Sequence, residues 1–226
     1  QGWRTVSVVS NSWLSGNFGL GDGWTQHSAR IASPARVQVD AAIAAFEEAP
    51  DQDVAVMVHF IDPHLPYSEP KKFRGVFAEE APPLLPRRVD NELVRAAWEK
   101  AASAERAGLK DYVVARYDQN IRYVDAELGR LLDAVGSEAT VVVFSDHGEE
   151  FWEHGGFEHG HTLYDELLRV PIIMSGPGIQ PGRVGHPVSL TDIVPTVLDH
   201  LGLPTPLVQG GSLTALLRGE PVDWET

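Results

Sequence analysis

Between Ser145 and Glu166 the chain reads SDHGEEFWEHGGFEHGHTLYDE, which brings four histidines and seven carboxylates into one short stretch. Imidazole nitrogens and carboxylate oxygens are the donors that hold divalent cations, and the adjacent Asp146 and His147 offer one of each. A bare Asp-His-Gly is more often a surface turn that binds nothing. The company of this one favours a site. Glu149, Glu150, Glu153, His154, His159 and His161 add ligand-type groups, and Gly148, Gly155, Gly156 and Gly160 permit tight backbone paths between them.

The elements that must position this cluster lie on both sides of it. TVVVFS (140–145) has the continuous apolar character of a buried strand, and it delivers Asp146 and His147 to a strand's carboxyl end, where open α/β sheets bind ligands. A short helix around TLYDELL and a second buried strand in RVPIIMSG follow. Toward the amino terminus, RTVSVVSN reads as a strand and SWLSGNFGLGDGW as a glycine-rich loop. ARVQVDAAIAAFEEA predicts a helix with Val37, Ala41, Ile43, Ala44 and Phe46 on its apolar side, and DVAVMVHFI a central strand covered on both faces.

The proline- and charge-rich stretch 66–90 predicts a long surface excursion, a lid or substrate-facing loop. A helix over NELVRAAWEKAASAERAG comes next. DYVVARYDQNIRYVDAELGRLLDAVG then predicts a long amphipathic helix, with Val114, Tyr117, Ile121, Val124, Leu128, Leu131 and Val135 in register and Gly136 as its stop. The last helix begins in TDIVPTVLDHLG, with Thr191 as N-cap. Strands separated by helices imply an α/β class: a doubly wound, mostly parallel sheet flanked by helices, within a single domain over 1–226.

Composition narrows the function. At 226 residues and 43% hydrophobic, the chain is long enough for one substantial soluble core. A formal charge of −14 argues against a nucleic-acid or anionic-membrane footprint. There is no cysteine, hence no disulfide, thiolate metal site or cysteine nucleophile within these residues. No apolar run approaches the roughly 20 residues that span a bilayer. The cellular compartment stays open.

The ordered motifs resemble the sulfatases of the alkaline phosphatase superfamily. SDHGEEFWEHGGFEHGHTLYDELLRVPIIMSGPG is similar to that family's carboxyl-side signature, IDPHLPY to its Asp-Pro-His-x-Pro-Tyr segment, and YDQNIRYVDAELGRLLDAVG to its long central helix. LTDIVPTVLDHLGLPTP and QGGSL resemble its Asp-Ile-x-Pro-Thr segment and the Gly-x-Ser-Leu after it, and GWRTVSVVSNSWLS a stretch that follows the nucleophile region. The resemblance implies an alkaline phosphatase-like fold, with Asp146 and His147 as metal ligands and His64 and His159 as contacts to the sulfuryl or phosphoryl oxygens of the substrate.

His159 falls where many sulfatases place a substrate-binding lysine, and an imidazolium can do similar work. Without the resemblance, His64 is a turn residue between prolines. His161 is a secondary candidate, because His-Thr resembles a ligand pair of two-metal relatives. Calcium sulfatases usually carry Asn where His147 stands, and a nitrogen donor suits manganese, zinc or iron better than calcium. The implied cofactor is therefore a divalent metal: calcium or, given His147, manganese, zinc or magnesium. The implied substrate is a small-molecule or glycan sulfate or phosphate ester.

In the family a nucleophile and two further metal-ligand aspartates lie ahead of the GWRT-like strand. The expectation is accordingly a catalytic domain truncated at both ends, carrying half of the metal site and inactive in isolation. ASPAR (32–36) imitates the formylglycine motif, but Ala32 has no nucleophilic group and the stretch reads as a helix start. Two alternatives to a sulfate-ester hydrolase remain: a phosphoesterase or phosphoethanolamine-type transferase of the same superfamily, and a non-catalytic remnant of the fold.

Overall fold

A computed structural model of the chain describes residues 2–77, 80–85, 89–220 and 222. They divide into two compact units, one of Gln1–Gly136 with Glu150–Glu158 and the other of Ser137–Glu149 with His159–Thr226.

The first unit is built on a parallel sheet of order β2-β1-β3, from β1 (Arg4–Val9), β2 (Gln26–Ala29) and β3 (Val54–Val58). β1, not β3, is central. Val6, Val8 and Val9 are at most 1% exposed, each contributing about 1.5–3 kcal/mol of apolar burial, while Met57 of β3 is 38% exposed. β2 is a polar strand that the apolar pattern of the sequence did not announce; it pairs Val6 with Gln26 and Val9 with Ala29.

Helix α1 (Ala35–Glu47) follows Pro34, as expected for the decoy ASPAR. Its fully buried stripe is Ala35, Gln38, Val39, Ala42 and Ala45, whereas the larger apolar residues of the predicted side are only partly covered. α1 packs on both the sheet and the long helix α3 (Ser103–Val135), and small residues let it approach two neighbours at once.

Most described residues of stretch 66–90 are exposed, as a surface excursion requires, but a few buried side chains anchor it. Tyr67 bridges to Val89, and Tyr67, Phe73, Leu85 and Val89 are all buried in core clusters. A buried ion pair holds it further: Arg116 meets Glu69 at 2.9 Å, Asn120 donates to the same carboxylate at 3.2 Å, and Gln119 accepts the Val76 N–H at 3.1 Å. Residues 78–79 and 86–88 of that stretch lie outside the described residues.

α2 (Asn91–Lys100) and α3 (Ser103–Val135) meet at Ala101–Ala102, so the second helix takes in residues assigned above to the first. The Glu105 carboxylate accepts the Ala102 N–H at 2.8 Å and starts α3 there, and Gly108 sits inside the helix. The buried face of α3 runs through Leu109, Tyr112, Val113, Arg116, Gln119, Asn120, Tyr123 and Glu127, while Ile121 is 42% exposed. Val114, Tyr117 and Val124 of the predicted stripe do pack against the core, while the fully buried face also takes polar residues because their partners, chiefly Glu69, come from the packed loop. Gly136 ends the helix at φ 72°, as expected.

The first unit also contains a hairpin of β5 (Glu150–Phe151) and β6 (Phe157–Glu158). The second unit holds β4 (Val141–Phe144) antiparallel to β7 (Ile172–Ser175), with α4 (Asp165–Leu168) between them in sequence and α5 (Ile193–His200) and α6 (Thr214–Leu217) after them. α5 is led by a 3-10 turn over Leu190–Asp192, capped by Ser189 rather than Thr191: the Ser189 hydroxyl accepts the Thr191 N–H and Asp192 accepts the Ser189 N–H at 2.8 Å.

Candidate metal and anion site

β4 ends at Phe144 and the chain turns at once. Ser145 Oγ donates to the His147 carbonyl at 2.6 Å, and the Asp146 carboxylate accepts the His147 N–H at 3.1 Å. The turn is pinned from below, where the Gly148 N–H donates to the Leu167 carbonyl of α4 at 2.8 Å. Only glycine fits there, since a Cβ on residue 148 would stand 1.9 Å from the Glu166 carbonyl oxygen.

This anchoring settles the histidine's tautomer. His147 Nδ1 lies 2.8 Å from the Gly148 carbonyl, which can only accept, so Nδ1 carries the proton and the Nε2 lone pair is presented to a ligand. Nε2 is 3.8 Å from Asp146 Oδ1. One cation with metal–ligand bonds of about 2.1 Å spans such a separation. One carboxylate oxygen and one imidazole nitrogen of fixed tautomer therefore fit a divalent ion, and the nitrogen favours a softer ion than calcium.

His159 joins the pair. Its ring centroid is 4.0 Å from that of His147, and its Nδ1 donates to Glu149 Oε1 at 2.9 Å. Glu149 is deeply placed, and a carboxylate there stabilises positive charge on the imidazole. The sequence supplied Glu149 only as one more ligand-type group; ten residues separate it from His159, and no local periodicity signals the pairing. His161 is exposed two residues further on.

Most of the remaining acids have structural work. The buried Glu150 carboxylate accepts the His154 and Gly156 N–H groups at 3.1 and 2.7 Å, which closes the β5–β6 hairpin. Glu153 pairs with Lys110 at 2.8 Å, and Glu158 takes hydrogen bonds or ion contacts from Asn91 and Arg95.

His64 belongs to the first unit, just past the carboxyl end of β3. Its N–H donates to the Ile61 carbonyl at 2.9 Å and its Nδ1 to the Leu65 carbonyl at 2.6 Å, which orients the ring. Two residues before it, burial raises the Asp62 carboxyl from 3.8 to about 6, against the lowering effect of the Ala35 N–H and its own N–H.

Comparison with known proteins follows the same lines. The family described as Sulfatase matches residues 34–203. Human arylsulfatase K is 42% identical over 88 residues, which are 36% of this chain and 16% of that protein. A protein solved in complex with its substrate D-glucosamine-2-N,6-O-disulfate superposes with a TM-score of 0.68 at 18% identity, covering 99% of this chain and 64% of that one. A member of the alkaline phosphatase superfamily from Vibrio parahaemolyticus gives 0.62 at 17% identity, covering 100% of this chain and 50% of that one. The chain thus shares their α/β fold and spans less than two thirds of each relative. Among the described residues no helix is long and apolar enough to cross a membrane.

Proposed function

The chain belongs to the sulfatase family, and on that premise we propose that the protein carrying it hydrolyses sulfate esters with a divalent metal, half of whose ligands are Asp146 and His147. The observation that carries this reading is the Asp146–His147 pair itself, with His147 Nδ1 committed to a carbonyl and Nε2 turned 3.8 Å from the carboxylate. A bound divalent cation supplies Lewis-acid charge to the sulfuryl oxygens.

The chain's own residues bind and orient the anion. His159, held at Nδ1 by Glu149, offers positive charge where negative charge grows in the transition state. His64, oriented through Nδ1 by the Leu65 carbonyl, is a second anion contact. His161 has a secondary role. The substrate class is a small-molecule or glycan sulfate ester, in keeping with the disulfated glucosamine bound by one structural relative.

A phosphate ester is the second reading, and the imidazole at position 147 favours it, because a nitrogen donor fits the manganese or zinc of phosphoesterases better than calcium. The test uses the protein that carries this chain. Asp146→Asn and His147→Ala should each lose bound metal at least tenfold and abolish aryl sulfate turnover, with unchanged circular dichroism. Unaltered metal stoichiometry in both variants refutes the ligand assignment, and faster turnover of aryl phosphate than aryl sulfate by the wild type selects the second reading.

A further inference from the structure

Glu105, Gly108, Leu109 and Tyr112 recur at i, i+3, i+4 and i+7 along α3 and so share one face of it. Between that face and the segment from Glu80 to Leu84 lies a cavity of about 320 Å³, at the small end of the range for small-molecule sites. The cavity lies wholly within the first unit, and none of His64, Asp146, His147 or His159 lines it.

Its walls are apolar and fixed. Pro82 and Pro83 form one side, where the Leu85 N–H closes on the Pro82 carbonyl at 3.0 Å, and Ala81 and Leu85 tie that segment to the same core cluster as Leu109 and Tyr112. On the helix side Gly108 bares the backbone, and a Cβ there would meet nothing within 4 Å. A glycine inside a helix is destabilising relative to alanine; here the missing side chain keeps the hollow open.

The charged groups of the lining are both acidic. Glu80 is exposed, Glu105 uses Oε2 to accept the Ala102 N–H at 2.8 Å, and neither makes an ion pair among the described residues. The cations of α3 nearest in sequence are engaged elsewhere: Arg106 over the Trp98 ring at 5.1 Å, Lys110 with Glu153 at 2.8 Å and Arg116 with Glu69 at 2.9 Å. An apolar hollow bordered by two carboxylates without counter-ions is complementary to a cation with a hydrocarbon body and repels an anion.

We propose that the cavity binds a small organic ammonium ion, with its carbon body against Pro82, Pro83 and Leu109 and its charge met by Glu80 and Glu105. Such binding needs neither the metal pair nor an ester substrate.

Calorimetric titration of cyclohexylammonium into the protein that carries this chain tests it, with cyclohexanol and cyclohexanecarboxylate as the neutral and anionic counterparts. The ammonium should bind saturably, about tenfold tighter than cyclohexanol and tighter still than the carboxylate. Glu80→Gln should weaken it about two- to fivefold, and Glu105→Gln likewise, since the glutamine oxygen still accepts the Ala102 N–H and keeps the start of α3. Gly108→Leu favours the helix and fills the hollow, and should weaken binding about tenfold or more with unchanged circular dichroism. No saturable binding of the ammonium, equal affinity for cyclohexanol, or unchanged affinity in both glutamine variants overturns the proposal. Full affinity in Gly108→Leu places the binding outside this cavity and overturns it equally.

Discussion

His159 donates from Nδ1 to Glu149 Oε1 at 2.9 Å, and the acid lies deeper than the base, with side chains 5% and 22% exposed. The hydrogen bond joins a covered carboxylate to the imidazole Nδ1–H and fixes the orientation of the ring. Glu149→Gln keeps the shape and an acceptor but removes the charge. A hydrogen bond to a charged group is worth about 1.5–3 kcal/mol, so kcat/KM for an aryl sulfate should fall about 10- to 100-fold at unchanged metal content. Steady-state kinetics alongside metal analysis checks this; metal lost in step with activity would place Glu149 in the metal shell instead.

Gly148 approaches the α4 backbone too closely for any side chain. Gly148→Ala must push the Asp146–His147 turn away from Glu166, lowering stability by about 1–3 kcal/mol and weakening metal binding together. Gly129→Ala is the contrast: a Cβ there meets nothing within 4 Å on α3, and the substitution should stabilise by about 0.5–1 kcal/mol. Denaturant melts of both variants read the two signs.

The Glu69–Arg116 pair is buried, and Glu69 is also the acceptor for Asn120. Glu69→Ala leaves the buried guanidinium its hydrogen bonds to the Tyr67 carbonyl and the Tyr112 hydroxyl but no counter-ion, and unfolding free energy should drop by about 3–5 kcal/mol. The double substitution of Glu69 and Arg116 by leucine and methionine should recover much of the loss, as chemical denaturation would show.

Asp62 gives a pH dependence of definite sign. Its folded-state value, about 6, lies above the ordinary 3.8, so the native state holds the proton more tightly than the unfolded chain does. The group's contribution to stability is greatest below about pH 4, falls between pH 4 and 6, and is flat above. Asp62→Asn removes that slope, and its stability relative to wild type should rise by on the order of 1–3 kcal/mol between pH 4 and pH 7. Urea midpoints across that range measure it; parallel profiles for the two proteins would show that Asp62 does not titrate there.

Strong local signals survived into three dimensions. The apolar runs that became β1, β3, β4 and β7 were legible, as was the helix end at Gly136. The departures share a cause. β2 is polar because its edge position needs backbone pairing with β1 more than apolar side chains. The fully buried face of α3 also takes polar residues because Glu69, brought in by a loop, satisfies Arg116 and Asn120. Stretch 66–90 is mostly exposed, as its prolines and charges imply, yet Tyr67, Phe73, Leu85 and Val89 anchor it in the core.

The same division holds at the site. Residue types and motif order by themselves determined the α/β class, the sulfatase resemblance and the adjacent Asp146 and His147, because one strand end delivers both residues and needs no distant contact to do so. Tertiary structure alone decided which acids the scaffold engages and which one pairs with a histidine of the candidate site. Glu150, Glu153 and Glu158 are engaged by the hairpin, Lys110 and Arg95, whereas Glu149 turns to His159. In sequence these four glutamates are equivalent; burial and the reach of a donor from another segment make them different.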